Sequence, residues 1–130
     1  MRESILKFVN YTVEKMIFEA HACEKTDAPI EIKQNISKRI SMKENGCFDA
    51  SLAFKTVPQE DVIYPFDIEV VVTGHFQIEN NVEEDIETID GIVNQNSFAI
   101  LFPYLRSIIT NLTATANIPP IILPILNLTI

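Results

Sequence analysis

The sequence predicts an α+β fold, an antiparallel sheet followed by helices. Apolar and polar residues alternate through residues 36–42, 48–54 and 66–78, the period of strands with one dry and one wet face. Asn45-Gly46 separates the first two runs, and that dipeptide takes the positive φ of a tight hairpin turn. After Asn80-Asn81 the apolar residues Val82, Ile86, Ile89 and Val93 recur at helical steps.

Taken in order, residues 5–20 fit two patterns. Ile5, Val9, Val13 and Ile17 make a helical stripe, while Val9, Tyr11 and Val13 alternate with Asn10, Thr12 and Glu14 as in a strand. The β-branched and aromatic content favours the strand. Residues 21–34 read as a connection. In the first clear strand Ile36, Ile40 and Met42 share a face; in the second Phe48, Ala50, Leu52 and Phe54 do. After a connection at Pro58–Asp61, the third carries Phe66, Ile68, Val70, Val72, Phe76 and Ile78 on one parity. Only Val71 breaks the polar set on the other. Glu83, Glu84 and Asp85 suit the N-terminus of a short helix, which Gly91 is expected to end. Asn96 or Ser97 then caps a longer helix near Phe98–Ala116, with Pro103 close to its start. Ile118 to Ile125 carries Pro119, Pro120 and Pro124, and reads as an extended apolar strap. No internal repeat or low-complexity linker appears, so residues 1–130 are expected to form a single domain.

The 130 residues are 47% hydrophobic and 22% charged, a composition that builds a core. The net charge of −8 is unevenly placed. Residues 1–56 hold nine basic and eight acidic side chains; residues 57–90 hold ten acids and no base; residues 91–130 hold only Arg106. Such an acidic middle excludes the phosphate neutralisation that nucleic-acid binding needs and suits a cationic partner. The uncharged last third is interrupted by Arg106, Asn111, Asn117 and its prolines, which excludes a membrane span. Lys7, Asn10, Glu14 and Lys15 interrupt the start, so no signal peptide is expected. Cys23 and Cys47 are expected to be reduced thiols in a cytoplasmic protein.

Chemistry-bearing motifs are sparse. His21-Ala-Cys23 offers two metal ligands without a second pair, and His75 falls on a wet strand face. Phosphate-loop, nucleophile-elbow and zinc-protease patterns are missing from the sequence, so neither a metal nor another cofactor is expected. The phenylalanines form a core or, where one helix cannot cover them, an oligomer contact or open groove.

One segment is more specific. Ile100-Leu101-Phe102-Pro103-Tyr104-Leu105-Arg106-Ser107-Ile108-Ile109 followed by Ile118-Pro119-Pro120-Ile121-Ile122-Leu123-Pro124-Ile125-Leu126-Asn127 resembles the helix and strap of the SecB protein-export chaperones. Phe18-Glu19-Ala20 and the stretch from Tyr64 to Ile78 are similar to that family's strands. The resemblance covers roughly residues 8–128.

What the resemblance implies is a four-stranded antiparallel sheet, in meander or Greek-key order, with one long and one short helix on one side. It implies a homotetramer built as a dimer of dimers, without catalytic activity. Such chaperones bind unfolded preproteins in apolar grooves and pass them to the translocation ATPase SecA. The candidate groove residues are Ile40, Met42, Phe48, Leu52, Phe54, Phe66, Phe76, Phe102, Ile121 and Leu123. The candidate SecA contacts are Glu19, Asp67 and Glu69, with Lys15 standing where well-known members carry another acid. Leu105, Ile108, Ile109 and Leu112 are the candidate oligomer contacts. Family members continue past the strap into a further helix and an acidic tail, whereas this sequence ends at Ile130. Solitary SecB-like proteins serve antitoxins of toxin–antitoxin modules, an alternative reading. A small enzyme with an apolar pocket is the alternative of another class.

Overall fold

The computed structural model describes residues 6–21, 33–57, 66–78 and 90–117. Four strands form one antiparallel sheet: β1 (Leu6–Ala20), β2 (Gln34–Met42), β3 (Cys47–Thr56) and β4 (Phe66–Ile78). Their spatial order is β1-β4-β3-β2. Strands β2, β3 and β4 follow one another as a meander, and β1 closes the Greek key by lying beside β4. The strand pattern in residues 5–20 therefore outweighs the helical stripe.

The β2–β3 hairpin turns where the sequence places it. Asn45 and Gly46 have φ of 61° and 75°, and the Cys47 N–H closes the turn on the Glu44 carbonyl at 3.2 Å. The Gly46 carbonyl also accepts the Ile78 N–H at 2.9 Å, which fixes the end of β4 to the turn.

Register sorts the side chains. Phe48 faces Phe76, Leu52 faces Val72 and Phe54 faces Val70, so the even-numbered residues of β3 and β4 share the helix side. Strand β1 reaches the same side through two irregularities, between Phe8 and Asn10 and between Val13 and Lys15. Each bulge shifts the parity by one residue. Leu6, Phe8, Tyr11, Val13, Met16 and Phe18 thus all lie across from helix-side residues of β4.

Helix α1 (Ser97–Thr115) covers this side. Phe98, Leu101, Phe102, Leu105 and Ile109 are buried against Phe48, Leu52, Phe54, Val70, Val72 and Phe76. Burying one such side chain is worth roughly 1.5–3 kcal/mol. Pro103 and Ala99 are solvent-facing, so the carbonyl that loses its N–H partner lies on the wet side, where the helix tolerates it. Asn117, at φ 61°, ends the helix in the left-handed conformation.

Gly74 sets how closely α1 approaches. A Cβ there would lie 2.6 Å from Phe76 Cε2 and 3.1 Å from Leu101 Cδ1, so the bare backbone makes room for both side chains.

The start of the helical region differs from the expectation. Asp90 and Gly91 are already helical, and Gly91, with φ −61° and ψ −42°, does not end the helix. The chain runs through a π-helical turn, Ile92–Asn96, directly into α1. Within it the Ser97 N–H reaches back to the Ile92 carbonyl, and the Ser97 hydroxyl donates to Val93 O. Asn96 is helical and its side chain makes no capping bond. With the preceding turn supplying carbonyls, neither a stop at Gly91 nor a new cap is needed. Most of the expected short helix, the Pro58–Asp61 connection and the strap lie outside the described residues.

Candidate functional site

Two surfaces concern function, one on each side of the sheet. On the helix side, α1 lies mainly over β3 and β4 and touches β1 far less. The apolar row of β1 is left partly uncovered: Tyr11, Val13 and Met16 are 37%, 39% and 57% exposed. Ile100 and Tyr104, one turn apart on α1, are each 36% exposed. The Tyr104 ring lies 4.6 Å from Tyr11 and 5.6 Å from Phe8, and Phe8 continues to Phe76 at 5.2 Å. An aromatic line thus runs from the core onto an open apolar shelf.

This arrangement reassigns most of the groove candidates. Phe48, Leu52, Phe54, Phe66, Phe76 and Phe102 are buried under α1 and are core in this chain. Ile40 packs partly buried against them, and only Met42 stands open. Ile121 and Leu123 lie outside the described residues. The oligomer candidates divide in two. Leu105 and Ile109 are fully buried against the sheet, while Ile108 and Leu112 flank that core partly buried. Alternation and helical spacing mark the side a residue faces; they do not mark what already covers it. Of the missed residues, Tyr11 and Val13 belonged to the visible alternation and Ile100 and Tyr104 to the long-helix segment, while Met16 lay outside both patterns and the helix position over the sheet was not visible.

The outer side is ionic. The ladder aligns Glu19 with Asp67 and Ile17 with Glu69, so the three expected acids do come together. A concavity of about 380 Å³ there is lined by Ile17, Glu19, Lys55, Thr56, Asp67, Ile68 and Glu69. Lys15 Nζ lies 3.1 Å from Glu69 Oε2, and His21 Nε2 lies 2.7 Å from Asp67 Oδ2.

At the other end, Thr12 Oγ1 is 2.9 Å from His75 Nε2, and His75 Nδ1 is 2.8 Å from Asp49 Oδ1. Lys43 Nζ takes the second Asp49 oxygen at 2.9 Å. Burial alone would raise the Asp49 carboxyl, but hydrogen bonds and charge from Lys43 and His75 hold it below its ordinary value. The same hydrogen bond and charge raise the Lys43 ammonium. A hydroxyl, an imidazole and a carboxylate in line are the parts of a nucleophile relay. Thr12, however, is exposed on an edge strand, and the row crosses the open sheet face from β1 to β3. Its evident work is to tie three strands and the hairpin turn together. Among the described residues no group of three or more His, Cys, Asp and Glu is placed to hold a metal, and no helix is long and apolar enough to cross a membrane.

The comparisons agree with this geometry. Residues 10–129 match the family model SecB, preprotein translocase subunit SecB. The chain belongs to the SecB family. An uncharacterized protein of Methanocaldococcus jannaschii is 35% identical over 94% of this chain and 79% of that protein. The protein-export protein SecB of Chromobacterium violaceum is 27% identical over 90% of this chain and 81% of the relative. Among solved structures, the SecB-like chaperone of Mycobacterium tuberculosis, in complex with a ChAD peptide from an antitoxin, superposes with a TM-score of 0.71. It covers 93% of this chain and 87% of its own at 16% identity, which shows the shared SecB-like fold. SecB-like proteins are chaperones and not enzymes.

Proposed function

We propose that this SecB-family protein is an ATP-independent holdase of the cytosol. It binds unfolded precursor proteins and delivers them to SecA as a single-domain homotetramer, a dimer of dimers. The observation that carries the reading is the uncovered apolar shelf of Tyr11, Val13, Met16, Ile100 and Tyr104. Contiguous apolar surface of this kind marks interaction sites. A protein that binds unfolded chains and not folded ones holds the equilibrium toward the unfolded form by mass action. Burying ~1,000 Å² of apolar surface yields up to ~25 kcal/mol gross, most of it offset by ordering the client. Specificity for sequence is accordingly low.

Light scattering of an aggregating client is the test. Suppression at one tetramer per client supports the reading, and unchanged aggregation refutes it. Solution mass reports the tetramer, and pull-down with SecA reports delivery.

A second reading, a chaperone dedicated to an antitoxin, is favoured by the Lys15–Glu69 ion pair. That pair takes negative charge off the surface that SecA docking through Glu19, Asp67 and Glu69 would use. Binding to an antitoxin peptide with no capture by SecA would select it.

A further inference from the structure

The buried cluster between sheet and helix is built from Phe, Leu, Ile, Val and Ala, and contains no methionine. The sequence holds three methionines, Met1, Met16 and Met42, of which Met1 lies outside the described residues. Met16 and Met42 are 57% and 61% exposed, although methionine is ordinarily among the buried residue types. Both stand on the helix side of the sheet, Met16 opposite Val70 and Met42 opposite Phe48. They lie on the two edge strands, β1 and β2, at the margins of the cover that α1 provides.

Their settings differ. Met16 is the last β1 member of the shelf that Tyr11 and Val13 share with Ile100 and Tyr104. Its neighbours on the same side of the strand are Val13 and Phe18, and Val70 lies across the ladder. None of these three side chains carries a hydrogen-bond donor. Met42 stands at the hairpin end of β2, just before Lys43. Its neighbour on that side, Ile40, packs against the core, so Met42 is an isolated apolar side chain and extends no patch.

We propose that Met16 is a reversible oxidation site, at which hydrogen peroxide turns the apolar shelf into a polar surface. This rests on the shelf being a contact surface, as the holdase reading has it. A lone pair on Met16 Sδ attacks one peroxide oxygen. The S–O bond forms as the O–O bond breaks, and the departing hydroxide takes the proton left on the transferred oxygen and leaves as water. Sulfur loses two electrons and the peroxide gains them. The sulfoxide is polar where the thioether was apolar. An apolar ligand laid over it buries an oxygen that Val13, Phe18 and Val70 cannot satisfy. The fold survives the change, because the core contains no methionine. A methionine sulfoxide reductase returns the thioether, and with it the contact.

The test treats the protein with hydrogen peroxide and locates the added oxygen by peptide mass. Nile red, a neutral apolar dye, reads the shelf. Full oxidation of Met16 should weaken dye binding about tenfold, with unchanged circular dichroism. Methionine sulfoxide reductase should restore binding. Dithiothreitol alone, which reverses disulfides and sulfenic acids at Cys23 and Cys47, should not. A Met16→Leu variant should bind the dye before and after peroxide, whereas Met42→Leu should remain as sensitive as the unaltered protein. Unchanged binding once Met16 is fully oxidised, an equal loss in Met16→Leu, or no dye binding by the untreated protein would overturn the proposal. Failure of the holdase reading shows separately, as unsuppressed aggregation by untreated protein that does bind the dye.

Discussion

Strands β1 and β3 are comparably apolar yet meet opposite fates. In β3, Phe48, Ala50, Leu52 and Phe54 are fully buried, because β3 has a neighbour on each side and α1 above it. Strand β1 has one neighbour, two bulges and little helix over it, and Val9, Tyr11, Val13, Met16 and Ile17 stay exposed. Apolar character is thus used for stability in one strand and left open for contact in the other. Hydrophobicity alone does not separate core from interface; position in the sheet does.

Mutations can break this contrast. The largest expected effect is in β3, where Phe54→Ala should cost about 3–5 kcal/mol by leaving a cavity under α1, read as the shift in urea midpoint. Gly74→Ala comes next, at about 1–3 kcal/mol, because its Cβ would press on Phe76 and Leu101. Asp49→Asn should lower Tm at neutral pH by about 2–4 °C. It should also flatten the acid limb of the stability curve. The folded Asp49 carboxyl sits below its ordinary value of 3.8, so its contribution is present above that value and is lost as pH falls through the folded one. The smallest stability effect belongs to β1. Met16→Ser should change stability by no more than about 0.5 kcal/mol while weakening aggregation suppression. If Met16→Ser destabilises as much as Phe54→Ala, β1 is core and the contrast fails.

Much of the sheet was legible because its signals are local. Asn45-Gly46 has one good use between two alternating runs, and the apolar faces of β3 and β4 came out at the right parity. The bulges of β1 were not legible, since nothing in Val9 or Glu14 announces a residue left unpaired in the ladder. The absent stop at Gly91 has a similar cause. Glycine permits a helix end, but the following residues continue the hydrogen bonding through a wider turn, a choice made by the packing of Val93 and Phe98. Of the candidate site, the acids Glu19, Asp67 and Glu69 were visible in the sequence, and the ladder sets them around one concavity. Their pairing with Lys15 and His21 depends on contacts between strands 46 or more residues apart in the chain. Six groove candidates, Phe48, Leu52, Phe54, Phe66, Phe76 and Phe102, lie buried in the core, and the sequence does not show this because cover is a tertiary property.

The π-helical turn at Ile92–Asn96 also acts as an angular offset. It brings Val93 and Phe98, five residues apart, into the same buried cluster, where an α-helical step of five would leave them about 140° apart. Removing a single residue there would leave α1 seated on the sheet and swing the preceding backbone about 100° around the axis. A one-residue deletion there would carry Val93 out of the buried cluster while Phe98 and Leu101 stay seated on the sheet.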